Sequence, residues 1–165
     1  MKTMTQTVQE KIIALAATRK RRIVLPEAGG DNRTLHAAAT VAKEGFAIPV
    51  LVGDPDKIFS LAKAEGVDVS QLEIINPVAD AAKLDQVARE YMEKRRKENL
   101  TIEQARQIVS DPLYWAAMMV ARDEADGMTA GAITTTGDVL RASIKCIGLQ
   151  PGIKTVSSHF IMVVP

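Results

Sequence analysis

The sequence has little from which a disulfide, a soft-metal centre or a polyanion-binding surface could be built. Its one cysteine, Cys146, can form no disulfide within the chain and no cysteine-based metal site, and the two histidines, His36 and His159, add few further ligands. A reducing compartment and no zinc site are the expectation, with the cytoplasm as the default setting. Charge of one sign is scarce as well: 21 Lys+Arg stand against 20 Asp+Glu, a net charge of +1. Without a basic excess, nucleic acid is not an expected partner. No apolar run reaches the length of a membrane span, and the N-terminal segment places its basic TRKRR run after an amphipathic stretch, the reverse of a secretory signal. No membrane partner is expected either. Neither G-x-x-x-x-G-K-[ST] nor G-x-G-x-x-G occurs, which removes the two commonest nucleotide-loop signatures.

What is present is the composition of a folded domain. With 47% hydrophobic and 25% charged residues over 165 positions, the chain can bury a sizeable core. Val8, Ile12 and Leu15 fall at helical spacing. RIVLPE then predicts a strand at Ile23 to Leu25, and Asp31 is placed to cap a helix from Asn32 to about Phe46 with Leu35, Ala38, Ala42 and Phe46 on one face. IPVLVGD is a second strand, followed by Asp54 as N-cap, Pro55 at the first helical position and Gly66 at the helix end. Leu72 to Ile75 form a third apolar run, and Leu84, Val87, Ala88 and Tyr91 mark the next helix. Thr101 to Gln104 fits a capping box, Asp111-Pro112 a second helix start, and the nine uncharged residues of LYWAAMMVA a helix buried on most sides. ADGMTAGAI reads as a small-residue strand entering a loop, Val139 to Ile147 as a helix, and KTVSSHFIMVVP as the start of another strand. Alternating strands and helices predict a three-layer α/β/α fold with a largely parallel sheet.

Two stretches could carry chemistry. In GMTAGAITTTGDVLR a glycine-rich strand exit meets three hydroxyls and a helix start carrying Asp138 and Arg141, an outline that suits an anion. The same threonines could instead do no more than cap that helix. In LPEAGGDNRTL, Glu27, Asp31 and Arg33 cluster after the C-terminal end of the first strand, where open α/β sheets bind ligands; a capped helix with an exposed arginine is the simpler alternative. Arg95 and Arg96 in KRRKE read as a solvated helix face. Cys146 reads as packed rather than nucleophilic, His36 as a helix-surface residue and His159 as lying near a strand.

The segments RRIVLPEAGGDNRTLHAAA, PVLVGD, LTIEQARQIVSDPLYWAAMMV, EADGMTAGAITTTGDVLRASI and PGIKTVSSHFIMVVP, in this order, resemble the phosphate acetyltransferase and phosphate butyryltransferase family. The resemblance covers nearly the whole chain but about the first half of a typical member. It implies the isocitrate/isopropylmalate dehydrogenase-like fold, with residues 1–150 as a first α/β domain and 151–165 as the beginning of a second. It also implies reversible acetyl transfer between phosphate and coenzyme A, by direct attack of the thiolate on acetyl phosphate in a ternary complex, with no metal or bound cofactor needed. Substrates would be coenzyme A, acetyl phosphate and inorganic phosphate, and the full-length protein a homodimer. By motif, Arg141 matches the family's phosphate-site arginine, Thr135 and Thr136 its hydroxyl residues there, and Arg95 a second arginine associated with substrate or coenzyme A. Thr134 departs from the His or Asn common at its position. The family's serine-arginine pair and its general-base aspartate lie beyond Pro165, so this chain is expected to be inactive alone. A butyryl-specific enzyme and a non-catalytic binding or regulatory domain are the alternatives.

Overall fold

The structure is a computed structural model that describes residues 7–158 and 161–162. The elements run α1 (Val8–Ala17), β1 (Arg21–Leu25), α2 (Asn32–Glu44), β2 (Ala47–Val52), α3 (Pro55–Glu65), β3 (Glu73–Ile75), α4 (Ala81–Lys94), a 3-10 turn (Arg96–Glu98), α5 (Ile102–Val109), α6 (Pro112–Ala121), β4 (Gly127–Met128) and α7 (Thr136–Cys146). The four strands pair in parallel in the order β3-β2-β1-β4.

Side chains alternate across the sheet, and each face has its own helical layer. Val24, Val50 and Val52 pack against buried residues of α4, α5, α6 and α7, including Tyr91, Val109, Trp115, Met118 and Cys146. Leu51 points the other way, to Leu35 and Ala38 of α2 and Ile58 and Ala62 of α3. Full burial of each such Leu or Ile contributes about 1.5–3 kcal/mol, which holds the short helices to the sheet. This is the α/β/α architecture predicted from the alternation of strands and helices.

Local signals position most of the helices. Asp31, Asp54, Asp80 and Asp111 accept N–H groups at the starts of α2, α3, α4 and α6, and Thr101 with Gln104 completes the capping box of α5. Six residues of α6 are buried, as its lack of charge predicts.

Four expectations need correction. The helix read as reaching Phe46 stops at Glu44, because Gly45 takes a left-handed conformation that turns the chain away; Ala42 is exposed. The small-residue strand shrinks to Gly127–Met128, since its segment is spent on a loop described below. Helix α7 begins at Thr136 rather than Val139 because Thr135 caps it. The strand read over 154–165 does not form over residues 154–158 and 161–162, which no described strand pairs; His159, Phe160 and 163–165 lie outside the described residues. Helix α1 buries no residue, so Val8, Ile12 and Leu15 stay exposed. Among the described residues, no helix is long and apolar enough to cross a membrane.

Candidate functional site

With β1 lying between β2 and β4, the chain connections reverse direction at the β1/β4 boundary. The loops leaving β1 (26–31) and β4 (129–135) lead to helices on opposite faces of the sheet, α2 on one and α7 on the other. A crevice between such loops is the standard ligand position of an open parallel sheet.

Here the two candidate stretches meet. The Glu27 side chain, 6% exposed, points from the β1 loop into the β4 loop. Its Oε2 accepts the N–H groups of Gly131 at 2.9 Å and Ala132 at 2.8 Å, and its Oε1 those of Ile133 at 3.1 Å and Thr134 at 2.7 Å. Four successive backbone donors thus converge on one carboxylate. Burial pushes the Glu27 carboxyl upward, but the Thr134 side chain and the N–H groups of Ala132, Thr134 and Ile133 outweigh it and hold the group below its ordinary value. A second tie runs beside the first: Arg33 Nη2 donates to the Ala132 carbonyl at 2.7 Å. Asp31 aims that guanidinium, accepting from Nη2 at 2.6 Å and from Nε at 3.1 Å, while also capping α2 through the Arg33 N–H at 2.8 Å. The hydrogen bonds from Arg33 keep the Asp31 carboxyl below its usual range against the cost of its burial. The loops approach so closely that a Cβ on Gly30 would stand 3.0 Å from Cδ1 of Ile133.

The latch leads directly into α7. Thr135 is its N-cap: Oγ1 accepts the Asp138 N–H at 3.2 Å and donates to Asp138 Oδ2 at 2.7 Å. Arg141 Nη1 is paired with Asp138 Oδ1, so Thr135 and Arg141 are joined through one carboxylate. That carboxyl is held low, first by the Thr135 hydrogen bond and then by Arg141. Thr136, the first residue of α7, is exposed, as are Thr135 and Arg141. A cleft of about 280 Å³ opens beside the latch, lined among others by Glu27, Gly53, Lys57, Asp111 and Thr134.

Arg95 lies at the other end of α7. It is the C-cap of α4, half-buried, and donates to Glu98 Oε1 through Nε at 3.1 Å and through Nη2. Glu98 Oε2 is 3.4 Å from Lys145 Nζ in the last turn of α7, and Arg95, followed by Lys145, holds the Glu98 carboxyl low. Ten residues of helical rise, about 15 Å, separate Thr135 from Lys145. The structure therefore joins Thr135 to Arg141 through Asp138, leaves Thr136 exposed at the start of α7, and sets Arg95 by way of Glu98 beside Lys145, one turn beyond Arg141.

Lys145 and Glu98 carry no motif that sequence reasoning could have found. Glu27 stood in the second candidate stretch, but nothing in sequence joins it to residues 131–134. Cys146 is buried and its thiol is pushed up to about 12, chiefly by burial, as expected of a packed cysteine. His36 sits on the surface of α2, 3.3 Å from Glu65. Among the described residues, no group of three or more His, Cys, Asp or Glu is placed to hold a metal ion. A larger cleft of about 430 Å³, by the Arg22–Glu73 and Lys83–Glu124 ion pairs, is lined by none of Thr135, Thr136, Arg141 or Arg95.

Comparison with known proteins supplies the family. The sequence profile described as phosphate acetyl/butaryl transferase matches residues 7–165. A phosphate acetyltransferase of Thermoanaerobacterium thermosaccharolyticum is 43% identical over 159 residues, 96% of this chain and 47% of the relative. One of Clostridium acetobutylicum is 42% identical over 94% of this chain and 46% of its own length. Among solved structures, a phosphotransacetylase from Staphylococcus aureus superposes with a TM-score of 0.80 at 30% identity, covering 91% of this chain and 46% of that one. The chain thus spans about half the length of the curated relatives it matches. With the family profile matched over 7–165, the chain belongs to the phosphate acetyl/butaryl transferase family.

Proposed function

We propose that this chain is the part of a phosphate acetyltransferase that carries the phosphate-binding loop and a share of the coenzyme A site. The reaction is the reversible conversion of acetyl-CoA and phosphate to CoA and acetyl phosphate. The observation that carries this reading is the 43% identity, over 96% of the chain, to a relative named for that activity. Acetyl is preferred to butyryl as the acyl group because these similar relatives are named acetyltransferases.

In the direction of acetyl-CoA synthesis, a thiolate of coenzyme A attacks the carbonyl carbon of acetyl phosphate within a ternary complex. A C–S bond forms, the C–O bond to phosphorus breaks, and inorganic phosphate leaves with that electron pair. The thiol proton passes to a base that no motif places on this chain. Arg141, Thr135 and Thr136 are assigned to the phosphoryl oxygens, where a guanidinium and hydroxyls supply charge-assisted hydrogen bonds. Arg95 is assigned to coenzyme A. Holding two reactants in line and stabilising the tetrahedral oxyanion are the main physical demands. The scheme uses no metal and no bound cofactor, and the reading includes a cytoplasmic enzyme that is a homodimer at full length.

The test is release of free thiol from acetyl-CoA by the full-length gene product, followed with a thiol reagent, with and without phosphate and with and without EDTA. Turnover that requires phosphate and ignores EDTA is expected. Coenzyme A binding without phosphate-dependent turnover would sink the transfer reading and favour a binding domain. Activity lost to EDTA and restored by metal would sink the metal-free scheme.

A further inference from the structure

We propose that Glu27 is a positioning residue for phosphate recognition: it locks the β4 loop so that Thr135, Thr136 and Arg141 are presented in one fixed arrangement. The role rests on the transferase reading. Three independent observations on the two loops carry it. Four consecutive N–H groups, Gly131 to Thr134, end on the Glu27 carboxylate, whose side chain is buried. Arg33, in the first turn of α2 and aimed by Asp31 at the end of the β1 loop, ties the carbonyl of Ala132. Gly30 lies against Ile133, whose Cδ1 would stand 3.0 Å from a Cβ there and would have to shift to admit one.

A run of backbone N–H groups facing one point is an anion site in its own right. In this protein the anion in it is a side chain of the chain itself. Phosphate recognition therefore falls to the side chains that follow the loop rather than to the loop amides. Thr134 is the last residue held by Glu27, and Thr135, the N-cap of α7, is the next. A carboxylate that holds 131–134 thus sets the start of α7 and, through Asp138, the direction of Arg141. An unlatched loop would leave the same groups present but spread over several positions, and phosphate would have to order them on binding.

The experiment compares wild type with Glu27→Gln in the full-length gene product, using two readouts. Glutamine keeps the shape but replaces one acceptor oxygen by a donor, so two of the four amides lose their partner. Hydrogen exchange at residues 131–134 is expected to quicken by about tenfold while exchange in α2 and α4 stays unchanged. In steady-state assays KM for phosphate is expected to rise about tenfold with KM for acetyl-CoA within about twofold, a split that general destabilisation would not produce. Glu27→Asp should recover part of the loss. Unchanged exchange at 131–134, or both KM values moving together with a fall in Tm, overturns the proposal. Should Glu27→Gln fail to fold, Arg33→Met takes its place: it removes the tie to Ala132 together with the ion pair to Asp31, so α4 alone serves as the exchange reference. The same changes at about threefold are then expected, and none in either readout counts against the latch. Absence of phosphate-dependent turnover in the wild type would overturn the transferase reading instead. The exchange contrast, which needs no activity, then decides whether Glu27 holds the loop.

Discussion

Arg141 and Asp138, one turn apart on α7, form an ion pair whose carboxylate also accepts the hydroxyl of Thr135. The Asp138 carboxylate therefore occupies a bridge between two donors of the kind a phosphate oxygen takes. Under the proposed assignment to phosphate, those donors serve the phosphoryl oxygens and Asp138 keeps the guanidinium on the α7 side.

Replacing Arg141 by Ala should raise KM for phosphate and for acetyl phosphate by about tenfold or more, the scale of one lost charge-assisted contact. Stability should change by less than about 1 kcal/mol, because the Arg141 side chain is 59% exposed and such pairs are solvent-screened. Steady-state kinetics with a parallel urea melt separate the effects. Wild-type kinetics would remove Arg141 from the site.

Arg95→Ala should weaken coenzyme A and leave KM for phosphate nearly unchanged. Arg95 is linked to α7 only at its Lys145 end, through Glu98, away from Thr135. Titration calorimetry with coenzyme A is the direct measurement, and a wild-type affinity joined to a wild-type rate would return Arg95 to an ordinary helix-end cation.

The latch should give stability a pH dependence of known sign. The folded-state pKa of Glu27 lies below its unfolded value, so the stabilisation is fully present above the unfolded carboxylate pKa of about 4.3 and is lost as pH falls through the lower folded value. Urea unfolding of wild type and Glu27→Gln should differ by about 2 kcal/mol near neutrality, with the gap closing on acidification. A gap that is constant or widens as pH falls would show that the ionised carboxylate is not what stabilises the loops.

Cys146 should resist alkylation in the native protein. Its burial against the α6 face and the upward push to about 12 keep the thiol protonated near neutral pH, despite Lys94, Arg95 and Lys145 nearby. Iodoacetamide should label it slowly in buffer and promptly in denaturant. Cys146→Ala should keep activity and cost about 1 kcal/mol of stability. Rapid native labelling would contradict the packed assignment.

What could be read along the chain was whatever a few neighbouring residues decide. Asp54-Pro55, Thr101 with Gln104, and Asp111-Pro112 start their helices through contacts spanning one turn, and each is found where its spacing predicts. The parallel α/β class followed from alternating periods, because burial on both faces of a strand and on one face of a helix leaves a one-dimensional mark. The family resemblance, and with it the candidate roles of Thr135, Thr136, Arg141 and Arg95, was likewise carried by consecutive residues.

Other features depend on which strands become neighbours. β4 lies beside β1 although about a hundred residues separate them, and that pairing brings Glu27 against residues 131–134. The hydrogen bonds of the latch use backbone N–H groups, which every residue except proline possesses, so no side-chain pattern announces them. In the same way Glu98 reaches Lys145 only because α4 packs beside α7 in one layer. Local chemistry along the chain was enough to specify the helices, the strands and the candidate donors. Which of those donors are already engaged, and by which carboxylate, was settled by long-range packing, because hydrogen-bond partners are chosen by distance in space.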